Sequence, residues 1–174
     1  TITTSDNTDT LTLTSTDADA NTGPNLKLTR NSSSPADGDV TGEISFIAEN
    51  DGDEAVTYSQ ISSRIDDATD GTEDGRLFFF TQVGGSSTER LRFNGTEAAF
   101  NEGGADLDFR VEGDGNTHAL FVRGSDDHVG INEDAPDCRF HIKETNDTSF
   151  STNNFTNIDN SILKLENAST TNDA

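Results

Sequence analysis

Oxygen-bearing side chains recur at alternate positions in Asp17-Ala18-Asp19-Ala20-Asn21-Thr22-Gly23. This is the spacing by which a loop presents carboxylates and amides to Ca²⁺. The glycine falls one place later than such a loop needs for its turn, and Leu28 stands where a bidentate Glu would close the shell. Asp17, Asp19 and Asn21 are therefore calcium candidates weighed against a solvated turn, and the spacing favours the turn. A second acidic loop holds Asp66, Asp67, Asp70, Glu73 and Asp74. Asp67, Asp70 and Asp74 are its candidate ligands, because a shared cation would offset their mutual repulsion. A plain acidic loop is again the favoured reading.

Other chemistry is thinly supported. The 3 histidines are His118, His128 and His141. His118 and His128 can approach across a hairpin, but no third neutral ligand and no His-x-His pattern accompanies them, so all are read as strand-end surface groups. No nucleophile motif appears, and the 1 cysteine, Cys138, sits in a Pro-Asp-Cys turn, which excludes an intrachain disulfide and a Cys-x-x-Cys site. The expectation is a protein that is not an enzyme and carries no cofactor, with Ca²⁺ as the sole candidate ion. Sugar sites commonly stack rings on Trp or Tyr. With 0 Trp and only Tyr58, the sequence places any glycan-binding tip elsewhere in a parent protein.

The elements that would position these groups are strands. Hydrophobic residues make up 29% of the 174, a lean core, yet 11 of them are Phe, which carries a large burial area each. A formal charge of -22, from 33 Asp and Glu against 11 Lys and Arg, excludes nucleic acid and an anionic membrane as partners. It suits either a saline setting, where counter-ions screen self-repulsion, or a coat kept soluble. No apolar run reaches transmembrane length, so no membrane insertion is expected. The chain starts at Thr1, contains 0 Met and has no signal peptide, and it is read as an internal piece of something longer.

Short alternating runs separated by Gly, Asp, Asn and Ser clusters replace helical periodicity throughout. Thr10–Thr14 and Asn25–Thr29 alternate cleanly. Glu43–Ala48 precedes the turn Asp51-Gly52, and Val56–Ser59 runs on to Ile61 and Ile65 with a one-residue shift in apolar parity that predicts a bulge. Leu77-Phe78-Phe79-Phe80 is continuously apolar, which predicts cover on both faces. Gly84-Gly85 then turns into Arg90–Phe93. The expected modules are N-terminal strands and a linker over 1–41, a four-stranded meander over 42–96, short strands with a Val-Gly-Ile-Asn element over 97–142, and a polar connector over 143–174. Leu163-Lys164-Leu165 echoes Leu26-Lys27-Leu28, which predicts the start of a further module.

Leu107–Val122, followed by Gly124-Ser125-Asp126-Asp127-His128-Val129-Gly130-Ile131, resembles a segment recurrent in tail-fibre-like proteins of marine tailed phages. There it leads into an element written VGIG-T-x-x-P-x-x-x-L-x-V. Here the same stretch is Val129–Ile142, departing at Asn132, Glu133 and Phe140, with the apolar and turn positions kept. Gly42–Phe80, including the acidic loop, is similar to repeats in such fibres. The resemblance implies a homotrimeric β-structured appendage in the virion tail, outside the cell. Its partners would be two further copies, other virion tail proteins and, through the parent protein, a host cell-surface glycan.

The fold expected is all-β, with short antiparallel strands in meander or sandwich-like modules assembled into a trimeric fibre. Phe78, Phe80 and Phe121 are taken as the strip that meets at the three-fold axis. The function expected is a structural segment of a viral tail fibre involved in host attachment. The alternatives are a glycan-binding tip module and a calcium-stiffened bacterial adhesin repeat.

Overall fold

Alternation backed by β-branched and aromatic residues produces strands wherever a second such run follows a tight turn. The computed structural model describes residues 2–6 and 8–143. Its first sheet is a meander of β1 (Val40–Glu49), β2 (Ala55–Asp67), β3 (Asp74–Val83), β4 (Ser86–Phe93) and β5 (Ala98–Phe100), paired in chain order and antiparallel throughout. The second holds β6 (Phe109–Gly113), β7 (Asn116–Arg123), β8 (His128–Ile131) and β9 (Phe140–Ile142). The described residues contain strands and turns but no helix, an all-β architecture. Among them no helix is long and apolar enough to cross a membrane.

Turn chemistry sets the register. Between β1 and β2, Asn50 Oδ1 accepts hydrogen bonds from the amides of Gly52 and Glu54, both at 2.9 Å. Between β3 and β4 the two loop residues Gly84 and Gly85 both have positive φ, 54° and 81°, which a two-residue hairpin of matching twist requires and glycine adopts without strain. Asn94 closes the β4–β5 turn by accepting from the amides of Thr96 and Glu97. The parity shift in β2 is a bulge. Phe46 pairs with Ser59 and Ile47 with Thr57, leaving Tyr58 as the extra residue.

Three features differ from the sequence expectation. The first sheet has five strands, because Ala98–Phe100 adds to β4 through Leu91, Arg92 and Phe93. The N-terminal runs Thr10–Thr14 and Asn25–Thr29 form no strand, and Leu11, Leu13, Leu26 and Leu28 are exposed. Alternation equips a segment for pairing but cannot supply the partner. Finally, β9 pairs parallel to β8, reached through a loop that folds over Gly130. A Cβ at Gly130 would lie 2.3 Å from the Glu133 carbonyl oxygen, so only glycine admits that approach. The polar connector beyond Lys143 and the Leu163-Lys164-Leu165 echo lie outside the described residues.

Candidate functional site

Directly paired residues of neighbouring strands point to the same face of a sheet. In the first sheet, Phe79 is flanked by Ile61 on β2 and Leu91 on β4, and those pair in turn with Ile44 on β1 and Phe100 on β5. The adjoining position on that face has Leu77 opposite Phe93. Phe79 and Phe93 meet edge-on, with ring centroids 6.4 Å apart. The second sheet repeats the arrangement. Phe109 pairs with Val122, which pairs with Val129 and through it with Phe140; Val111 pairs with Leu120, and Ile131 with Ile142. None of these side chains is ionisable.

The two apolar faces join at one point. Phe100, from the last strand of the first sheet, packs on Phe109, from the first strand of the second, with ring centroids 4.9 Å apart. The loop between them is held by Asn101, whose side chain donates to the Ala105 carbonyl at 2.8 Å and accepts from the Ala105 amide at 3.1 Å. Beside this contact lies a cavity of about 460 Å³ lined by Phe100, Phe109, Val122, Arg90, Asp108 and Asp127, among others. A single apolar surface therefore runs across both sheets. It is open: Phe46, Phe100 and Phe140 are 55%, 56% and 48% exposed.

The opposite face is polar and laced with ion pairs, though Arg64 Nε, Glu89 Oε1 and Arg92 Nε are buried there without a hydrogen-bond partner. Phe78 and Phe80 stack there at 5.4 Å, and the guanidinium of Arg64 lies 4.9 Å above the Phe78 ring. Arg76 also covers that ring and is tied to Asp66. Ser62 is fully buried and donates to Glu43. Arg92 sits between Glu102 at 2.7 Å and Glu97 at 3.2 Å, and the Glu102 hydrogen bond raises its pKa above the usual arginine value. In the second sheet Phe121 pairs with Arg110 and Gly130 on this same side. The three phenylalanines chosen from sequence for a trimer axis thus lie on the charged side. Phe78 and Phe121 are each only 4% exposed within the single chain, so neither has surface left to offer another copy.

No family model, curated protein or solved structure matches the chain.

The calcium candidates fall into two separate loops. Asp17, Asp19 and Asn21 hold successive local turns, with Asp17 accepting from the Asp19 amide at 3.2 Å and Asp19 from the Asn21 amide at 2.8 Å. Asp67 and Asp74 stand directly opposite each other across β2 and β3. Asp67 accepts from the Thr69 amide and the Thr72 hydroxyl, and hydrogen bonds from Thr69 hold its pKa below the usual carboxylate value. Asp70 lies in the intervening turn. Among the described residues, no three His, Cys, Asp or Glu side chains cluster closely enough to share a metal.

Sequence reasoning missed the polar brace of the second sheet. Glu133 is 6% exposed and meets Lys143 Nζ at 2.8 Å. The Lys143 hydrogen bond, seconded by the Ala135 amide, lowers its pKa to about 2. Arg123 binds Asp126 and the carbonyl of the buried Pro136, and that carbonyl also lies 3.1 Å from His128 Nδ1. His128 thus belongs to the bracing of the β8–β9 loop, while His141 lies 3.3 Å from Asp137 but its Nδ1 is buried without a hydrogen-bond partner. The available signal was the polar run between two apolar strands, which had to be anchored somewhere for β9 to pair.

Proposed function

We propose that this chain is a structural segment of a homotrimeric tail fibre or similar appendage of a tailed-phage virion, working in host attachment through rigidity and reach. It acts outside the cell, assembles with other virion tail proteins and has no catalytic role. The observation that supports this reading is the largely apolar surface that passes from one sheet to the other through Phe100 and Phe109, with Arg92 and its glutamate partners on the reverse side. A large contiguous apolar patch on a soluble chain marks an interaction surface. A formal charge of -22 makes copies repel, least where their surfaces are poorest in carboxylates. Three-fold closure around that surface hides it and leaves the acidic side in solvent. The resemblance of Leu107–Ile142 to tail-fibre segments points the same way.

Sedimentation equilibrium of the chain is the test. A trimer at micromolar concentration is expected, and a monomer would defeat the reading. The cavity beside Phe100 and Phe109 favours one second reading, a glycan-binding tip module, since it joins apolar walls to Arg90, Asp108 and Asp127. A glycan array probed with the isolated assembly separates the two: saccharide binding supports the tip, and none supports the shaft. A calcium-dependent monomer in the same sedimentation series would instead identify an adhesin repeat.

A further inference from the structure

The two sheets meet only lightly. Among the described residues no strand of the first packs broadly on a strand of the second, and the Phe100–Phe109 contact stands beside an open cavity. Residues 101–108 carry the chain across, and each end of this link is tied to its own sheet. At the near end the Asn101 amide donates to the Arg90 carbonyl at 3.1 Å, and Glu102 meets Arg92 at 2.7 Å. At the far end the Gly124 amide donates to Asp108 Oδ1 at 3.0 Å. Leu107 also crosses Gly124 so closely that a Cβ on that glycine would stand 2.3 Å from the Leu107 nitrogen. Between these anchors lie Gly103 and Gly104. A Cβ on either would meet nothing within 4 Å beyond its chain neighbours, and Gly104 has a φ of 61°. The middle of the link is thus free of packing and made of the residue with the widest backbone freedom.

We infer that residues 101–108 form a joint between the sheets, pivoting at Gly103 and Gly104 and held in one setting by the Asn101 side chain and by Arg92. Asn101 spans the pivot. Its side chain donates to the Ala105 carbonyl at 2.8 Å and accepts from the Ala105 amide at 3.1 Å, and its own carbonyl accepts from the Gly104 amide at 2.9 Å. Arg92 secures the first sheet's side of the joint. Its guanidinium meets Glu97 before β5 and Glu102 after it, so one side chain clamps a three-residue strand at both flanks. Glu89 lies 4.0 Å from the same guanidinium. Without the arginine, these three carboxylates would surround β5 uncompensated, and like charges repel. Held in place, β5 keeps Phe100 against Phe109; released, it lets the second sheet swing on the glycines. The joint works within one copy and does not depend on the trimer reading.

The test places one spin label on the native Cys138, which is exposed, and a second at Ser87→Cys on β4, in the full 174-residue chain. Dilution with unlabelled chain restricts the distances read by electron resonance to those within one copy. The otherwise unmodified chain should give a single narrow distribution, and Asn101→Gly and Arg92→Met should each lose it. Asn101→Gly deletes the lock while glycine keeps the φ of 61° without strain, so circular dichroism should report unchanged strand content. Arg92→Met should also speed hydrogen exchange at the Asn101 amide, which is bonded to Arg90, and leave the Asn132 amide, bonded to His118 in the second sheet, as slow as before. Arg92→Lys, a point charge in place of a fork, should not restore the narrow peak. A narrow distribution in both variants would overturn the joint, because other contacts would then fix the sheets. A broad one in the unmodified chain would overturn the lock. Faster exchange at both amides would overturn the role of Arg92, by showing general unfolding in place of the release of β5.

Discussion

The ring of Phe100 meets the ring of Phe109 with centroids 4.9 Å apart, and this contact turns two separate sheet faces into one surface. Neither ring is exceptional in its own strand: β5 is three residues long and β6 five. The contact matters through continuity. Replacing Phe100 by Ala should interrupt the surface at its narrowest point while leaving each sheet's own pairing intact. The expected outcome is weaker association with strand content unchanged, read by sedimentation and circular dichroism.

The two sides of the first sheet should answer differently to substitution. Phe93→Asp puts a charge on the open face, where the side chain is 42% exposed, so the single chain should lose little stability while association, under the proposed trimer, is suppressed. Phe78→Ala removes a ring held under Arg64 and should destabilise the single chain by about 3–5 kcal/mol. Urea unfolding at low concentration, paired with sedimentation, distinguishes these effects.

How far the sequence could be read follows from what each feature depends on. Strands β1 to β4 were legible because Asp51-Gly52, Gly84-Gly85 and Asn94-Gly95 punctuate alternating runs, and even the Tyr58 bulge left its mark as a parity shift. Strand β5 was not, since Ala98-Ala99-Phe100 is too short to show a period. The division of Leu77–Phe80 between the two faces was hidden for a related reason. Leu77–Phe80 draws the eye to its phenylalanines, but membership of a face is decided by register with β2 and β4, which assigns Phe79 to one side and Phe78 and Phe80 to the other. The parallel partner of β8 depends on the Glu133 loop, a tertiary arrangement with no local signature.

Acid should weaken the second sheet through Glu133. Its pKa falls from an ordinary 4.5 to about 2 in the folded chain because Lys143 and the Ala135 amide favour the ionised form. A depressed carboxylate contributes stability fully above the unfolded value and loses it as pH falls through 4.5 towards 2. Glu133→Gln should therefore be less stable than the unmodified protein at neutral pH, and the difference should shrink across that window. Melting temperatures of both forms between neutrality and pH 2 provide the check.

Gly130 tolerates no side chain. A Cβ there would stand 2.3 Å from a backbone carbonyl oxygen that has no freedom to swing aside. Gly130→Ala should cost about 1–3 kcal/mol or displace the Glu133 loop and release β9. Hydrogen exchange at His141 and Ile142, which pair with β8, would register the release.

Calcium removal should leave the melting temperature unchanged. Asp17 and Asp19 already spend carboxylate oxygens on local turns, Asn21 donates to Asp19, and Asp67 is committed to Thr69 and Thr72. A shift of several degrees on adding EDTA would mean that a cation draws these loops together.

Strand β9 runs alongside β8 in the same direction, and this settles which way the polypeptide travels. Every other neighbouring pair of strands sends the backbone back the way it came. At Ile142 the main chain is instead carried onward along the heading of Ile131. Strand β9 therefore adds to the sheet along the heading of β8, with no reversing turn at that edge.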